Sequence, residues 1–140
     1  MTDIETIAMK WKGTPFVPHA AQPGAGVDCV HLCGEILQEA GLIGDYSFPT
    51  YRCDSGSHRD ESVVLSWLNH SPAFVRTDGS RVQAGDVLCF HIGRVAHHVG
   101  LALGPVRFIH ALRGKGVIVS TLRDPTYAKR FVAAYRPVQP

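Results

Sequence analysis

Hydrophobic periodicity changes once along this chain, and where it changes sets the fold class. Ile4, Ile7, Ala8 and Trp11 mark one face of an amphipathic helix over residues 2–11. Val30, Leu32, Cys33, Ile36, Leu37 and Ala40 mark a second over 28–40, and Val64, Leu65, Trp67 and Leu68 a third over 61–70. From Gln83 onward the runs are short and apolar or alternating: 87–90, 98–103, 106–112, 116–122 and 130–135. Gly85-Asp86, Gly93, Gly104-Pro105 and Gly114-Lys115-Gly116 punctuate them, the spacing of an antiparallel meander. Helices first and strands after predict an α+β domain, with N-terminal helices packed on a C-terminal antiparallel sheet of about five to six strands. Phe74 and Val75 add a brief strand. Residues 41–59, rich in turn formers, make an irregular stretch long enough to wall a groove.

Residues 1–140 read as a single domain, large enough to bury a core. A net charge of +2, with no basic block, argues against nucleic acid as a partner. No apolar run is long enough to span a bilayer, so membrane insertion is not expected. The start, Met1-Thr2-Asp3-Ile4-Glu5-Thr6, is acidic and polar, unlike a secretory leader, and predicts a protein that is cytoplasmic at synthesis. The four cysteines, Cys29, Cys33, Cys53 and Cys89, are then expected to be reduced thiols, with Cys33 and Cys89 as core packing.

Gly24-Ala25-Gly26-Val27-Asp28-Cys29-Val30-His31-Leu32 reads as a glycine-rich loop running into the second helix. Asp28 suits the N-cap, because its carboxylate can accept from the unpaired N–H groups of the first turn, and Gly41 suits the C-terminal end. Cys29 then falls on the first helical residue, where those N–H groups and the helix dipole favour a thiolate. A cysteine nucleophile is easily activated there, although a cysteine in an apolar helix also serves simply as packing.

Two histidines in the strand-rich half complete a possible constellation. His98 opens His98-Val99-Gly100-Leu101, and His110 lies in Phe108-Ile109-His110-Ala111. The Gly104-Pro105 connection makes these strands a hairpin, which can bring both imidazoles to one face. Cys29 as nucleophile, His98 as base and His110 as its orienter form a self-consistent triad. The competing readings are an exposed His97-His98 pair, a core His110 and a zinc site. Zinc lacks support in the spacing, since there is no Cys-x-x-Cys, His-x-x-x-His or His-Glu-x-x-His, and no metal or other cofactor is expected. His97 and His98 point to opposite faces of a strand. Small residues Gly100, Ala102 and Gly104 share the face of His98, which suggests that the cysteine helix packs there.

With these residues in view, the chain resembles the NlpC/P60 cysteine peptidases, in particular the small phage-tail and gene-transfer-agent branch. Trp11-Lys12-Gly13-Thr14-Pro15-Phe16 is similar to the first motif of that family, and Gly26-Val27-Asp28-Cys29 with Leu32 to its nucleophile motif. Ala84-Gly85-Asp86-Val87-Leu88, His98-Val99-Gly100-Leu101, Phe108-Ile109-His110-Ala111, Gly116-Val117-Ile118-Val119-Ser120 and Ala134-Tyr135-Arg136 follow in order. The resemblance implies a papain-like fold, a Cys29-His98-His110 triad and no metal. It implies cleavage of γ-D-glutamyl-diamino-acid or related amide bonds in peptidoglycan stem peptides, with other phage tail proteins as partners. Asp28 would help recognise substrate or shape the site, and Phe16 and His97 are further candidate substrate-binding residues. Two positions depart from the pattern. Phe16 stands where many relatives have a tyrosine, so an oxyanion must be held by backbone N–H groups near Cys29 or by another side chain. His31 stands where a small residue is usual and points about 200° away from Cys29 around the helix, a structural or groove-lining position.

The expected activity is a cysteine amidohydrolase acting on cell-wall peptides. A non-catalytic tail-assembly subunit of the same fold, and an acyltransferase or deamidase with the same triad, are the alternatives.

Overall fold

The structure, a computed structural model, describes residues 3–48, 61–92 and 95–138. Cys53 and most of the stretch expected to wall a groove lie outside the described residues. The elements run in the expected order. Helix α1 (Asp3–Met9), the two-residue strands β1 (Ala21–Gln22) and β2 (Gly26–Val27), α2 (Cys29–Glu39) and α3 (Glu61–His70) come first. Strands β3 (Phe74–Thr77), β4 (Val87–Ile92), β5 (Val95–Ala102), β6 (Arg107–Leu112), β7 (Gly116–Thr121) and β8 (Phe131–Pro137) follow, with a short helix α4 (Pro125–Ala128) before the last. The β1–β2 hairpin and α4 are additions to the sequence reading. Among the described residues no helix is long and apolar enough to cross a membrane.

Both ends of α2 are fixed by local chemistry. Asp28 is extended (φ −105°, ψ 177°), and its carboxylate accepts the His31 N–H. At the other end Gly41 takes φ +77°. The Leu42 N–H then returns to the Leu37 carbonyl and the Gly41 N–H to that of Gln38, both at 3.0 Å, satisfying carbonyls the helix leaves open.

The sheet has six antiparallel strands in the order β3-β8-β4-β5-β6-β7. Strands β4 to β7 form the expected meander. Strand β8 departs from it, running back to lie between β3 and β4. A half-buried ion pair anchors this return: Arg136 donates to both oxygens of the fully buried Asp86, Nε at 2.9 Å and Nη2 at 3.0 Å.

Both faces of the sheet are covered. One carries the main core, where Val87, Cys89, Val99, Leu101 and Ile109 meet Ile7 and Trp11, Leu32, Ile36 and Leu37 of α2, and Leu68 of α3. The other carries Leu88, Phe90, Ala102, Phe108 and Ala134, closed over by Tyr127 and Phe131. The side-chain-size reading of β5 is thereby reversed. The cysteine helix packs on the face of Val99 and Leu101, because its apolar row needs large apolar partners. The room left by Gly100 and Ala102 beside His98 goes instead to aromatic rings, with Phe90 stacked on Phe108 at 5.1 Å and Tyr127 edge-on to both.

Residues Ile43–Ser47 and the C-terminal half of α3 line an open groove of about 730 Å³, which includes Tyr46, Trp67 and Phe74 but not Cys29, His98 or His110.

Candidate active site

The site forms where the sheet opens. β5 and β6 pair only at Leu101–Ile109 and Ala102–Phe108, so their ladder ends before it reaches His98 and His110. Gly100 lies at this divergence. A Cβ there would stand 2.8 Å from the Phe108 ring and 3.2 Å from the His110 Cβ, so only glycine lets β6 approach so closely. On the other side of β5 the register with β4 slips between Phe90 and His91: Phe90 pairs with His98, His91 with Ala96, and His97 is the extra residue. A bulge of this kind re-aims the neighbouring side chains and raises the local twist.

The first turn of α2 delivers Cys29 to this opening. The backbone N–H groups of Val99, Val30 and Cys29 itself favour the charged form of its sulfur. Val99 directly follows His98 in β5, so the helix start meets the strand that carries this imidazole. His31 N–H goes to the Asp28 side chain and Leu32 N–H to the Asp28 carbonyl, which leaves the Cys29 and Val30 N–H groups pointing out of the helix start.

These amides do not make Cys29 a thiolate, contrary to expectation. Burial pushes its pKa up to about 12; the N–H groups oppose that, and the Asp28 carboxylate adds to it. Removing the thiol proton therefore needs a base alongside. Burial also pushes Cys33 well above its ordinary range and Cys89 to about 12. Cys29 is the most accessible of the three, at 9% against 4% and 0%.

His98 and His110 are both buried and share one hydrogen bond, His98 Nε2 to His110 Nδ1 at 2.9 Å. Burial, assisted by the Lys115 charge, lowers the His110 pKa to about 4, so its ring is neutral at ordinary pH. The other nitrogen of His110, Nε2, lies 2.8 Å from Ser120 Oγ. Ser120 ends one of the motifs quoted above but has no role assigned there, since a serine in an alternating strand is unremarkable. The register supplies the missing signal: Phe108 pairs with Ser120, which makes Ser120 the diagonal neighbour of His110 on one face.

The other candidate residues take different places. Asp28 is fully buried, with Oδ1 holding the His31 N–H and Nδ1 at 2.8 Å and Oδ2 holding the His19 N–H at 2.9 Å. It shapes the loop and the helix start from beneath the surface. Its hydrogen bond raises the His31 pKa against the opposing effect of burial, so His31 is a structural partner of the cap. Phe16 bridges to Val27, two residues before Cys29, and its ring is covered by the Arg113 guanidinium at 5.1 Å. The side chain of His97 lies outside the described residues. Among the described residues no three His, Cys, Asp or Glu side chains converge on a position that could hold a metal ion.

The sequence profile of the NlpC/P60 family matches residues 13–136. A murein DD-endopeptidase/murein LD-carboxypeptidase, MepS, of Escherichia coli K12 is 37% identical over 57 residues, which is 41% of this chain and 30% of that protein. A probable endopeptidase of Haemophilus influenzae is 26% identical over 124 residues, 87% of this chain and 65% of that protein. The chain thus spans less than two thirds of either relative. The NlpC/p60 domain of the peptidoglycan hydrolase SagA superposes with a TM-score of 0.60 at 21% identity, covering 94% of this chain and 93% of that one. An NlpC/P60 family protein of Bacillus cereus gives 0.69 at 21% identity, covering 99% and 40%.

Proposed function

The chain belongs to the NlpC/P60 family, and from that premise we propose that it is a cysteine endopeptidase that cuts peptidoglycan stem peptides. One observation carries the reading: the His98–His110 hydrogen bond of 2.9 Å, made from the strand whose Val99 N–H favours the charged form of the helix-start thiol.

His98 takes the Cys29 proton as the sulfur attacks the scissile carbonyl, so the thiolate exists only while the base holds its proton. Since Nε2 of His98 is engaged with His110, the accepting nitrogen is Nδ1. His110, neutral, orients that ring and accepts its Nε2–H as the imidazolium forms. The oxyanion falls to the backbone N–H groups of Cys29 and Val30, a preorganised pair at a helix start, because Phe16 has no hydroxyl to offer. The proton returns from His98 to the leaving amine, and the resulting acyl-enzyme is opened by a water that His98 activates.

The murein activities named for the relatives support a cell-wall peptide as substrate, and the motif resemblance supports the γ-D-glutamyl-diamino-acid bond within it. Mass spectrometry of peptidoglycan digested with wild type and with Cys29→Ala tests this. New stem-peptide fragments from wild type alone are expected. No fragments from either protein would leave the non-catalytic subunit of the same fold. Amine adducts formed with an added acceptor would instead identify an acyltransferase. The finer placement, in a phage or prophage tail beside other tail proteins, rests on the motif resemblance; proteomics of purified tail particles from an induced culture tests it.

A further inference from the structure

Both ring nitrogens of His110 are engaged, Nδ1 by His98 at 2.9 Å and Nε2 by Ser120 at 2.8 Å. A neutral imidazole has one N–H and one lone pair. The three residues therefore admit two consistent proton arrangements. In the first, His110 Nε2–H donates to Ser120 Oγ, His98 Nε2–H donates to His110 Nδ1, and the lone pair of His98 is on Nδ1. In the second, every donor is reversed: the Ser120 O–H donates to His110 Nε2, His110 Nδ1–H donates to His98 Nε2, and His98 carries its own proton on Nδ1. Only the first lets His98 accept a proton from a thiol at Nδ1.

The charged state makes the same demand. Once His98 holds a second proton, both of its nitrogens are donors, and His110 Nδ1 must accept. His110 then has its proton on Nε2, where its only acceptor among the described residues is Ser120 Oγ. His110 is fully buried, so an Nε2–H without an acceptor there is costly. Ser120 is only half-buried, so its own O–H can turn to water.

We propose that Ser120 is a positioning residue for this reaction, accepting the His110 Nε2–H and so fixing the direction of the hydrogen-bond chain that leaves the His98 lone pair on Nδ1. Acting two residues away from the sulfur, it sets which nitrogen is basic. This rests on the reading of His98 as the base, and the test separates the two.

Long-range ¹H–¹⁵N correlation spectra distinguish Nδ1–H from Nε2–H histidine without any turnover. Wild-type His110 is expected as the Nε2–H tautomer. In Ser120→Ala that preference should be lost. Its kcat on a stem peptide should fall about 10- to 100-fold, the scale for partners that fix a histidine's tautomer. Its KM should stay within about twofold, because no ground-state contact is removed. Ser120→Thr keeps an acceptor in a strand-compatible residue and should restore most of kcat together with the Nε2–H signal. An Nδ1–H His110 in wild type overturns the proposal, as does a Ser120→Ala enzyme with unchanged kcat or a folded Ser120→Thr no better than Ser120→Ala. If wild type turns over no stem peptide, the functional reading fails by itself, and the tautomer spectra of the wild-type and Ser120→Thr proteins still decide the part played by Ser120.

Discussion

His98 and His110 are twelve positions apart on strands whose ladder stops short of both, and yet their rings meet at 2.9 Å. The pair is thus held by the imidazoles and the packing around them more than by sheet hydrogen bonds. The two should not be equivalent in turnover. His98→Ala removes the base and is expected to lose roughly 10²- to 10⁴-fold in rate. His110→Ala keeps a misaligned base and should retain more. His97→Ala should stay within about tenfold of wild type on the same scale. Stem-peptide assays on folded variants check this ranking, and an inactive His97→Ala beside an active His98→Ala would sink it.

Cys29 should be the first thiol alkylated near neutral pH, ahead of the more deeply buried Cys33 and Cys89. Since burial pushes its pKa up to about 12, that reactivity should depend on His98 acting as its base. Iodoacetamide labelling with peptide mapping is expected to show the Cys29 rate dropping by about tenfold or more in His98→Ala. An equal rate in both proteins would mean that the base does not reach the sulfur.

Acid should act on this fold through His110. Its folded pKa, about 4, lies below the ordinary imidazole value of 6.5, so between these values the unfolded chain binds the extra proton. Stability from this group is therefore intact above pH 6.5 and is lost progressively as pH falls toward 4. Melting temperatures across this window should fall less steeply for His110→Gln than for wild type. Parallel curves would remove His110 as the cause.

Gly100→Ala is expected to be disruptive out of proportion to one methyl group. The new Cβ meets the Phe108 ring at 2.8 Å and the Ile109 carbonyl oxygen at 3.1 Å, where the sheet is already opening. Overpacking of this kind costs about 1–3 kcal/mol. Denaturant unfolding should register that loss, and turnover should fall further, through displacement of His110 from His98. A variant as stable and active as wild type would show that β6 can yield there at no cost.

Asp28→Ala removes an N-cap worth about 0.5–2 kcal/mol and frees the loop at His19. Because Asp28 is buried, the expected signature is a lowered melting temperature with loss of kcat. A rise in KM alone, at unchanged stability, would make Asp28 a substrate contact.

Much of this was legible in the sequence, for identifiable reasons. Asp28 and Gly41 bound α2 through interactions with backbone a few residues away, so local sequence is enough to place them. The strands from Val87 to Thr121 follow one another in space as they do in the chain. What escaped depends on partners distant in sequence. The face that α2 covers is decided by Tyr127 and Phe131, which fill the side with the small residues. Ser120 gains its importance only from the β6–β7 register. The thiol's protonation followed burial, which a helix-start argument does not weigh.

Residues 13–17 lie between two strands that the chain order keeps far apart. Gly13 and Thr14 exchange hydrogen bonds with Val117 of β7, while Pro15 and Val17 do so with Val27, just before Cys29. One short extended segment thus ties the strand that carries Ser120 to the strand that delivers the nucleophile. For anyone trimming or tagging this protein, that draws a boundary. Cutting back into α1 removes the packing of Ile4, Ile7 and Ala8 and lowers stability. Cutting past Lys12 would also remove the Gly13 and Thr14 hydrogen bonds to Val117, and with them the tie between the strand of Ser120 and the strand that leads into Cys29.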